Sequence, residues 1–332
     1  MNVVILDDYQ DAVRKLACSE RLHGLNAKVY NNTVKGLGQL VMRLRDADVV
    51  VLIQERTSVT RALLEKLPRL KLIALAGRMG PHVDLQACSD HGVAVAQGSD
   101  VPVSTAELTW ALLMAAMRRL PQYIANLKHA AWQQAGLRTA SMPPNFGLGS
   151  RLQGKVLGVW GYGRVGRLVA SYGKAFGMRV LVWGREASRT QAVRDGLDVA
   201  SSKEALFLQS DVLSLHLQLL PQTRHSVRLV DLARMKPTAL LLNTAHAELI
   251  EPEALAIALQ RGRPGMAAVD VYETEPILQG HSLLRLENCI CTPHIGHVEK
   301  EGYEEMLGVA FQNVLKFQQG VPENILNPDV LK

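Results

Sequence analysis

The sequence predicts an α/β protein built from two doubly wound parallel sheets, and three observations lead there. Short apolar runs alternate with helical stretches from one end of the chain to the other, the pattern of a parallel sheet covered by helices on both faces. The alternation restarts after a segment rich in glycine, proline and serine, and 332 residues suffice for two cores. The second series opens on a strand that runs straight into a glycine-rich turn and a helix.

Bulk properties narrow the classes. Apolar residues make up 48% and charged residues 20%, the balance of a globular chain rather than a disordered one. The formal net charge of +6 favours small anionic partners. The positive residues are scattered and aromatics are few, which argues against nucleic acid as a partner. The longest apolar stretch, around 108–117, is too short to span a membrane. The first residues read as a strand ending in acids, without the basic start or cleavage site of a signal peptide, so a cytoplasmic protein is expected. Cys18, Cys88, Cys289 and Cys291 show neither disulfide nor zinc spacing, and read as small core residues in a reducing compartment, with no metal expected.

Taken in order, residues 3–6, 28–30, 49–53, 72–74 and 93–95 are strand-type apolar runs. Between them, 12–22, 38–45 and 60–67 carry helical spacing, with Thr60 placed to cap the last. A long apolar helix over 105–120 and a polar one over 122–132 follow, then a loop over 136–152. Strands over 156–160, 180–183, 212–216, 240–243, 266–271 and 289–292 give the second sheet six members, the count of a full dinucleotide-binding sheet. A closing helix over 299–318 lies too far along the chain to belong to that sheet and is expected to return to the first domain.

The turn Gly161-Tyr-Gly163-Arg164-Val165-Gly166 has the chemistry of a pyrophosphate cradle. Gly161 permits the tight turn, Gly163 lets backbone approach the anion, and Gly166 lets the helix pack on its strand, so a Rossmann-type sheet is expected. Three later segments fall at carboxyl ends of predicted strands, the edge where ligands of open α/β sheets bind: Asn243-Thr244-Ala245-His246, Asp270-Val-Tyr-Glu273-Thr-Glu275-Pro276 and Thr292-Pro-His294-Ile-Gly296. Reduction of a keto acid needs a proton donor for the carbonyl oxygen and a carboxylate to orient that donor, and His294 with Glu275 supplies both.

With these motifs in this order, together with Ser210-Asp-Val-Leu-Ser-Leu-His216 and Met235-Lys-Pro237, the chain resembles the D-isomer-specific 2-hydroxyacid dehydrogenase family over nearly its whole length. That family includes D-3-phosphoglycerate dehydrogenases, glycerate dehydrogenases and hydroxypyruvate reductases. The resemblance implies a Rossmann-type cofactor domain, residues 103–296, inserted into a flavodoxin-like α/β substrate domain formed by 1–102 and 297–332. It implies hydride transfer between NAD or NADP and a D-2-hydroxy or 2-keto acid, with His294 as general acid and Glu275 keeping it protonated. Arg164 and Val165 would cover the pyrophosphate, Thr244, Ala245 and Gly296 would line the cofactor, and Asp270 would meet the nicotinamide carboxamide. The loop Arg78-Met79-Gly80 would present backbone N–H groups to the substrate carboxylate, with Arg56 near a substrate phosphate. A homodimer joined through about 105–152 is implied as well.

Two departures stand out. His246 occupies the place of the family's substrate-clamping arginine, and histidine offers no bidentate fork and is mostly neutral near pH 7. A weakened dehydrogenase, an altered substrate, or a dinucleotide-binding regulatory protein all fit that exchange, with Arg78 as a compensating cation or an ordinary loop charge. Secondly, Gly184 stands where NAD enzymes carry an acid for the ribose, and Arg185 follows with Arg189 nearby, which leans toward the 2′-phosphate of NADP.

Overall fold

The computed structural model describes residues 1–133 and 147–332, so most of the loop expected over 136–152 lies outside the described residues. The chain divides into two compact units, Met1–Val101 with Val298–Lys332, and Pro102–His297.

The first unit is a five-stranded sheet of β1 (Asn2–Ile5), β2 (Asn26–Val29), β3 (Val49–Ile53), β4 (Leu72–Ala76) and β5 (Ala94–Ala96). Its order β2-β1-β3-β4-β5 is the flavodoxin-like one, and every ladder is parallel. Every residue of β3, β4 and β5 is buried, which is why these strands read as unbroken apolar runs rather than alternating ones. Helix Lys300–Gln318 covers one face with Met306, Leu307, Ala310, Phe311 and Val314. Apart from the small Ala310, each of these side chains is worth about 1.5–3 kcal/mol when fully buried, so this terminal helix is a structural member of the unit. Glu299 starts it by accepting from the N–H groups of Glu301 and Gly302. The opposite face is covered by Leu40, Leu44, Leu63, Leu64 and Leu67.

Two expectations for this unit need correction. The single helix expected over 12–22 is two 3-10 helices, Val13–Lys15 and Ala17–Leu22. Leu16 between them is extended, and the carboxylate of Glu304 accepts from the N–H groups of Ala17 and Cys18, so a tertiary cap restarts the helix. The helix expected over 60–67 is one turn, Arg61–Leu64, and the Thr60 side chain makes no capping bond.

The second unit holds β6 (Val156–Trp160), β7 (Arg179–Trp183), β8 (Asp198–Val199), β9 (Val212–Leu215), β10 (Leu240–Asn243), β11 (Met266–Val269) and β12 (Cys289–Cys291). All pair in parallel, in the order β12-β11-β10-β9-β6-β7-β8. Counted from β6 this is 3-2-1-4-5-6 with one further strand, the Rossmann order. Seven strands replace the six expected, because β8 is only two residues long and carries no apolar run. The chain reverses direction across the sheet between β6 and β9, so a crevice opens at their carboxyl ends. Helix Pro102–Met117 packs on β10, on β11 and on helix Arg164–Ala175. It ends earlier than expected because Arg119 adopts φ 58° and starts a new helix, Leu120–Lys128, with Pro121 in its first turn. Among the described residues no helix is long and apolar enough to cross a membrane.

His82 is buried beneath the first unit's surface, and neither ring nitrogen has a hydrogen-bond partner among the described residues. Burial depresses its pKa to about 4, against about 6.5 in an unfolded chain. The unfolded state therefore binds the extra proton first, so the contribution of His82 to stability is complete above pH 6.5 and lost as pH falls toward 4. Melting temperature should fall across that window, and His82→Asn, which cannot titrate, should flatten the slope. An unchanged slope in the variant would refute the assignment.

Candidate active site

The cofactor side is built on the turn between β6 and helix Arg164–Ala175. Gly161 has φ 101° and its N–H donates to the Trp183 carbonyl, tying the turn to the end of β7. A Cβ on Gly161 would strike the His216 carbonyl, and one on Gly166 would be driven into the Gly161 carbonyl. Gly163, by contrast, faces open space. Gly163 is also the N-cap, and neither a side-chain cap nor a first-turn acid satisfies the helix start. The exposed Arg164 and half-buried Val165 follow immediately. Such a helix start offers N–H groups and a positive dipole end to an anion, so these residues fit a dinucleotide pyrophosphate.

At the end of β7, Gly184 lies beside Ser188 and the Gly161 turn. Arg185 is exposed at the N-cap of helix Glu186–Arg194. Arg189 stacks 4.9 Å from the Trp183 ring centroid, and its buried Nε has no hydrogen-bond partner among the described residues.

A second cluster of titratable side chains gathers at the ends of β10, β11 and β12. His294 Nδ1 lies 2.6 Å from Glu275 Oε2, while Glu275 Oε1 accepts from the Tyr272 N–H at 3.0 Å. Both carboxylate oxygens are thus occupied, which fixes the acid and through it the ring. His294 has φ 52°, an uncommon conformation for a residue with a side chain. Asp270 holds it there: Oδ1 accepts from the Thr292 hydroxyl at 2.7 Å and the Ile295 N–H at 2.9 Å, and Oδ2 from the Gly296 N–H at 2.8 Å. Burial raises the Asp270 pKa, and these bonds together with the nearby His294 charge oppose the rise. Both Asp270 oxygens are thus engaged with the His294 turn.

His246 enters the same cluster. Burial lowers its pKa, the Glu248 carboxylate works against that, and His294 and Glu275 both act on it electrostatically. Its carbonyl accepts from the Asn243 side chain, whose oxygen takes the Ala245 N–H. Thr244 shares a 2.7 Å hydroxyl–hydroxyl bond with Thr109. Thr109 was not singled out from the sequence, while Tyr272 and Thr292 lay within the quoted segments without a role of their own. Tyr272 was visible as the residue two after Asp270, but nothing in the pattern pointed to Thr109 on a distant helix.

The substrate-loop candidates sit in the first unit. Arg78 is exposed, Met79 and Gly80 are half-buried, and Gly80 lies against the Glu55 carboxylate and His82 Nδ1. Arg56 is committed within its own unit: Nη1 donates to the Asp7 carbonyl at 2.7 Å, Nη2 to the Tyr303 hydroxyl at 3.0 Å, and the guanidinium lies over the Tyr9 ring.

The family model described as "D-isomer specific 2-hydroxyacid dehydrogenase, NAD binding domain" matches residues 110–296. The glyoxylate reductase of Aeropyrum pernix is 36% identical over 296 residues, 88% of this chain and 87% of that protein. The D-3-phosphoglycerate dehydrogenase of Methanocaldococcus jannaschii is 34% identical over 87% of this chain, which spans only 53% of that longer relative. Among solved structures, one from Ralstonia solanacearum, provisionally named a D-3-phosphoglycerate dehydrogenase oxidoreductase, shares 59% identity at a TM-score of 0.98 over 100% of this chain and 98% of that one. The D-lactate dehydrogenase of Aquifex aeolicus, solved with NAD and lactic acid, gives 29% and 0.76 over 98% and 99% of the two chains.

Gly166→Ala should test the cradle. The added methyl must push back the Gly161 carbonyl, at a cost of about 1–3 kcal/mol for overpacking, so dinucleotide affinity measured by fluorescence titration should fall about tenfold or more. Unchanged affinity would mean the turn holds no pyrophosphate.

Proposed function

The chain belongs to the D-isomer-specific 2-hydroxyacid dehydrogenase family, and on that premise we propose that it reduces a 2-keto acid to the D-2-hydroxy acid with His294 as proton donor. The observation that carries this reading is the 2.6 Å contact between His294 Nδ1 and Glu275. An imidazole whose Nδ1 is held by a carboxylate keeps a fixed ring orientation and a favoured cationic form, and proton exchange with the substrate oxygen then falls to Nε2. When bound, the nicotinamide supplies or accepts the hydride. The chain's own residues do the rest. Gly161, Gly163, Arg164, Val165 and Gly166 hold the pyrophosphate, Thr244, Ala245, Asp270 and Gly296 border the nicotinamide, and Asp270 keeps His294 facing it. Arg78, Met79 and Gly80 present the substrate carboxylate with donors, and Arg56, anchored at Asp7 and Tyr303, faces a distal anionic group such as a phosphate. Glyoxylate, hydroxypyruvate and the oxidised form of 3-phosphoglycerate are the substrates to test first.

NADP is the favoured cofactor in this reading. Gly184 offers no carboxylate to repel a 2′-phosphate, and Arg185 with Arg189 supplies charge at the same edge. A homodimer is favoured by helix Leu120–Lys128, which buries no residue and exposes Leu120, Ile124 and Leu127 on one stripe. The four free cysteines are consistent with a reducing cytoplasm.

Glu275→Gln keeps the shape but removes the charge. Losing a charge-assisted bond of about 1.5–3 kcal/mol should lower kcat for keto-acid reduction roughly ten- to a hundredfold, with KM for cofactor unmoved; wild-type turnover in the variant would sink the role. In the same assay Arg185→Ala should lower kcat/KM for NADPH by a similar factor and leave NADH alone. Equal KM values for the two cofactors in the wild type would defeat the NADP assignment.

A further inference from the structure

Two free cysteines lie on the strand that delivers His294. Cys289 and Cys291 alternate along β12, at the edge of the second sheet, and their sulfur atoms are 3.7 Å apart. Both are half-buried, so solvent reaches them in part, and they pack against the core that contains Tyr272 and Leu283. The other two cysteines differ. Cys18 and Cys88 are buried, and desolvation pushes each thiol up to about 12. At the β12 pair the Cys291 thiol donates to the Cys289 sulfur; their bond lowers the Cys291 pKa against the effect of burial, while that of Cys289 rises. When the pair gives up a proton, Cys291 is the thiol favoured to lose it, and Cys289 keeps its own.

The pair is wired to the His294 turn. Thr292 directly follows Cys291, its hydroxyl donates to Asp270, and its carbonyl accepts from both the Tyr272 hydroxyl and the His294 N–H. Tyr272 in turn gives its N–H to Glu275. We propose that Cys289 and Cys291 form an oxidisable dithiol, a modification site for oxidants of the disulfide class, whose closure disturbs the turn that carries His294.

The chemistry balances with a small disulfide as oxidant. The Cys291 thiolate attacks one sulfur of the reagent, the reagent's S–S bond breaks, and one thiolate leaves. Cys289 then gives its proton to water and attacks the Cys291 sulfur, expelling the second thiol. Two protein thiols are oxidised and one external disulfide is reduced to two thiols. Closure must shorten the sulfur separation from 3.7 Å to about 2.05 Å. Residues two apart on a strand are about 6.6–6.8 Å apart at Cα, at the upper end of the roughly 4.4–6.8 Å that a disulfide spans. The strand must therefore pucker, and Thr292 is the first residue to move. A strained bond of this kind is also readily reduced, as a reversible modification requires.

The inference about turnover rests on the reading under Proposed function, so the experiment has two readouts. The full chain is treated with oxidised glutathione, then analysed by intact mass and by keto-acid reduction. The expected result is loss of two hydrogen atoms, at least about a tenfold drop in kcat, and recovery of both with dithiothreitol. Cys289→Ser should stall as a glutathione adduct, and Cys291→Ser should remain unmodified. Both variants should melt and turn over as the untreated wild type does. If the double serine variant loses activity under oxidant as the wild type does, or the disulfide forms with kcat unchanged, or the pair stays reduced, the proposal is overturned. If the reduced wild type turns over no keto acid at all, the functional reading fails instead, while the mass measurement still decides whether the dithiol closes.

Discussion

One buried carboxylate, Asp270, carries the geometry of the His294 turn. Removing it from water is costly, and burial alone raises its pKa. The cost is offset by three hydrogen bonds, all from the segment on either side of His294. Bonds to a charged group are worth about 1.5–3 kcal/mol each, whereas a left-handed residue of the His294 kind costs about 1–3 kcal/mol. The bonds win, and the strained backbone persists. A relaxed backbone there would turn the imidazole away from Glu275 and release both acids from the cluster. The structural role of Asp270 and the catalytic role proposed for His294 are therefore one constraint seen from two sides.

The sheets were legible because they are buried on both faces. Runs such as Val49–Ile53 and Leu72–Ala76 leave no polar position to misplace, and the glycine turn fixed where the second series begins. What escaped the sequence was set by contacts distant along the chain. Residues 12–22 have helical spacing, but Asp8 takes the N–H groups of Ala12 and Val13, and Glu304 takes those of Ala17 and Cys18. Two external carboxylates thus divide one amphipathic run into two short turns, an override that no local pattern records. Strand β8 escaped for the opposite reason: with Asp198 exposed and two residues in all, it is a ladder without a hydrophobic signature.

The site showed the same division. The pairing of His294 with Glu275 was readable as a motif, and Gly161 and Gly166 as positions without room for a side chain, because each geometry demands those residue types. Arg56 shows the limit of such reading. Its position marks it as an anion contact, yet Asp7, Tyr303 and Tyr9 already hold its guanidinium. A preorganised cation of this kind loses little side-chain entropy on meeting an anion, but it has fewer donors to offer than a solvated arginine.

His246 is best understood through the same electrostatics. An arginine at that place would be a permanent cation beside His294, and a neighbouring positive charge disfavours the imidazolium that a proton donor needs. Burial lowers the His246 pKa, with the Glu248 and Glu275 carboxylates opposing and His294 assisting, so the net effect disfavours a charged ring. On the proposed reading, histidine in place of arginine would weaken the grip on a substrate carboxylate and at the same time remove a like charge from beside His294. Under the proposed mechanism the two effects have opposite signs, binding on one side and protonation of the donor on the other.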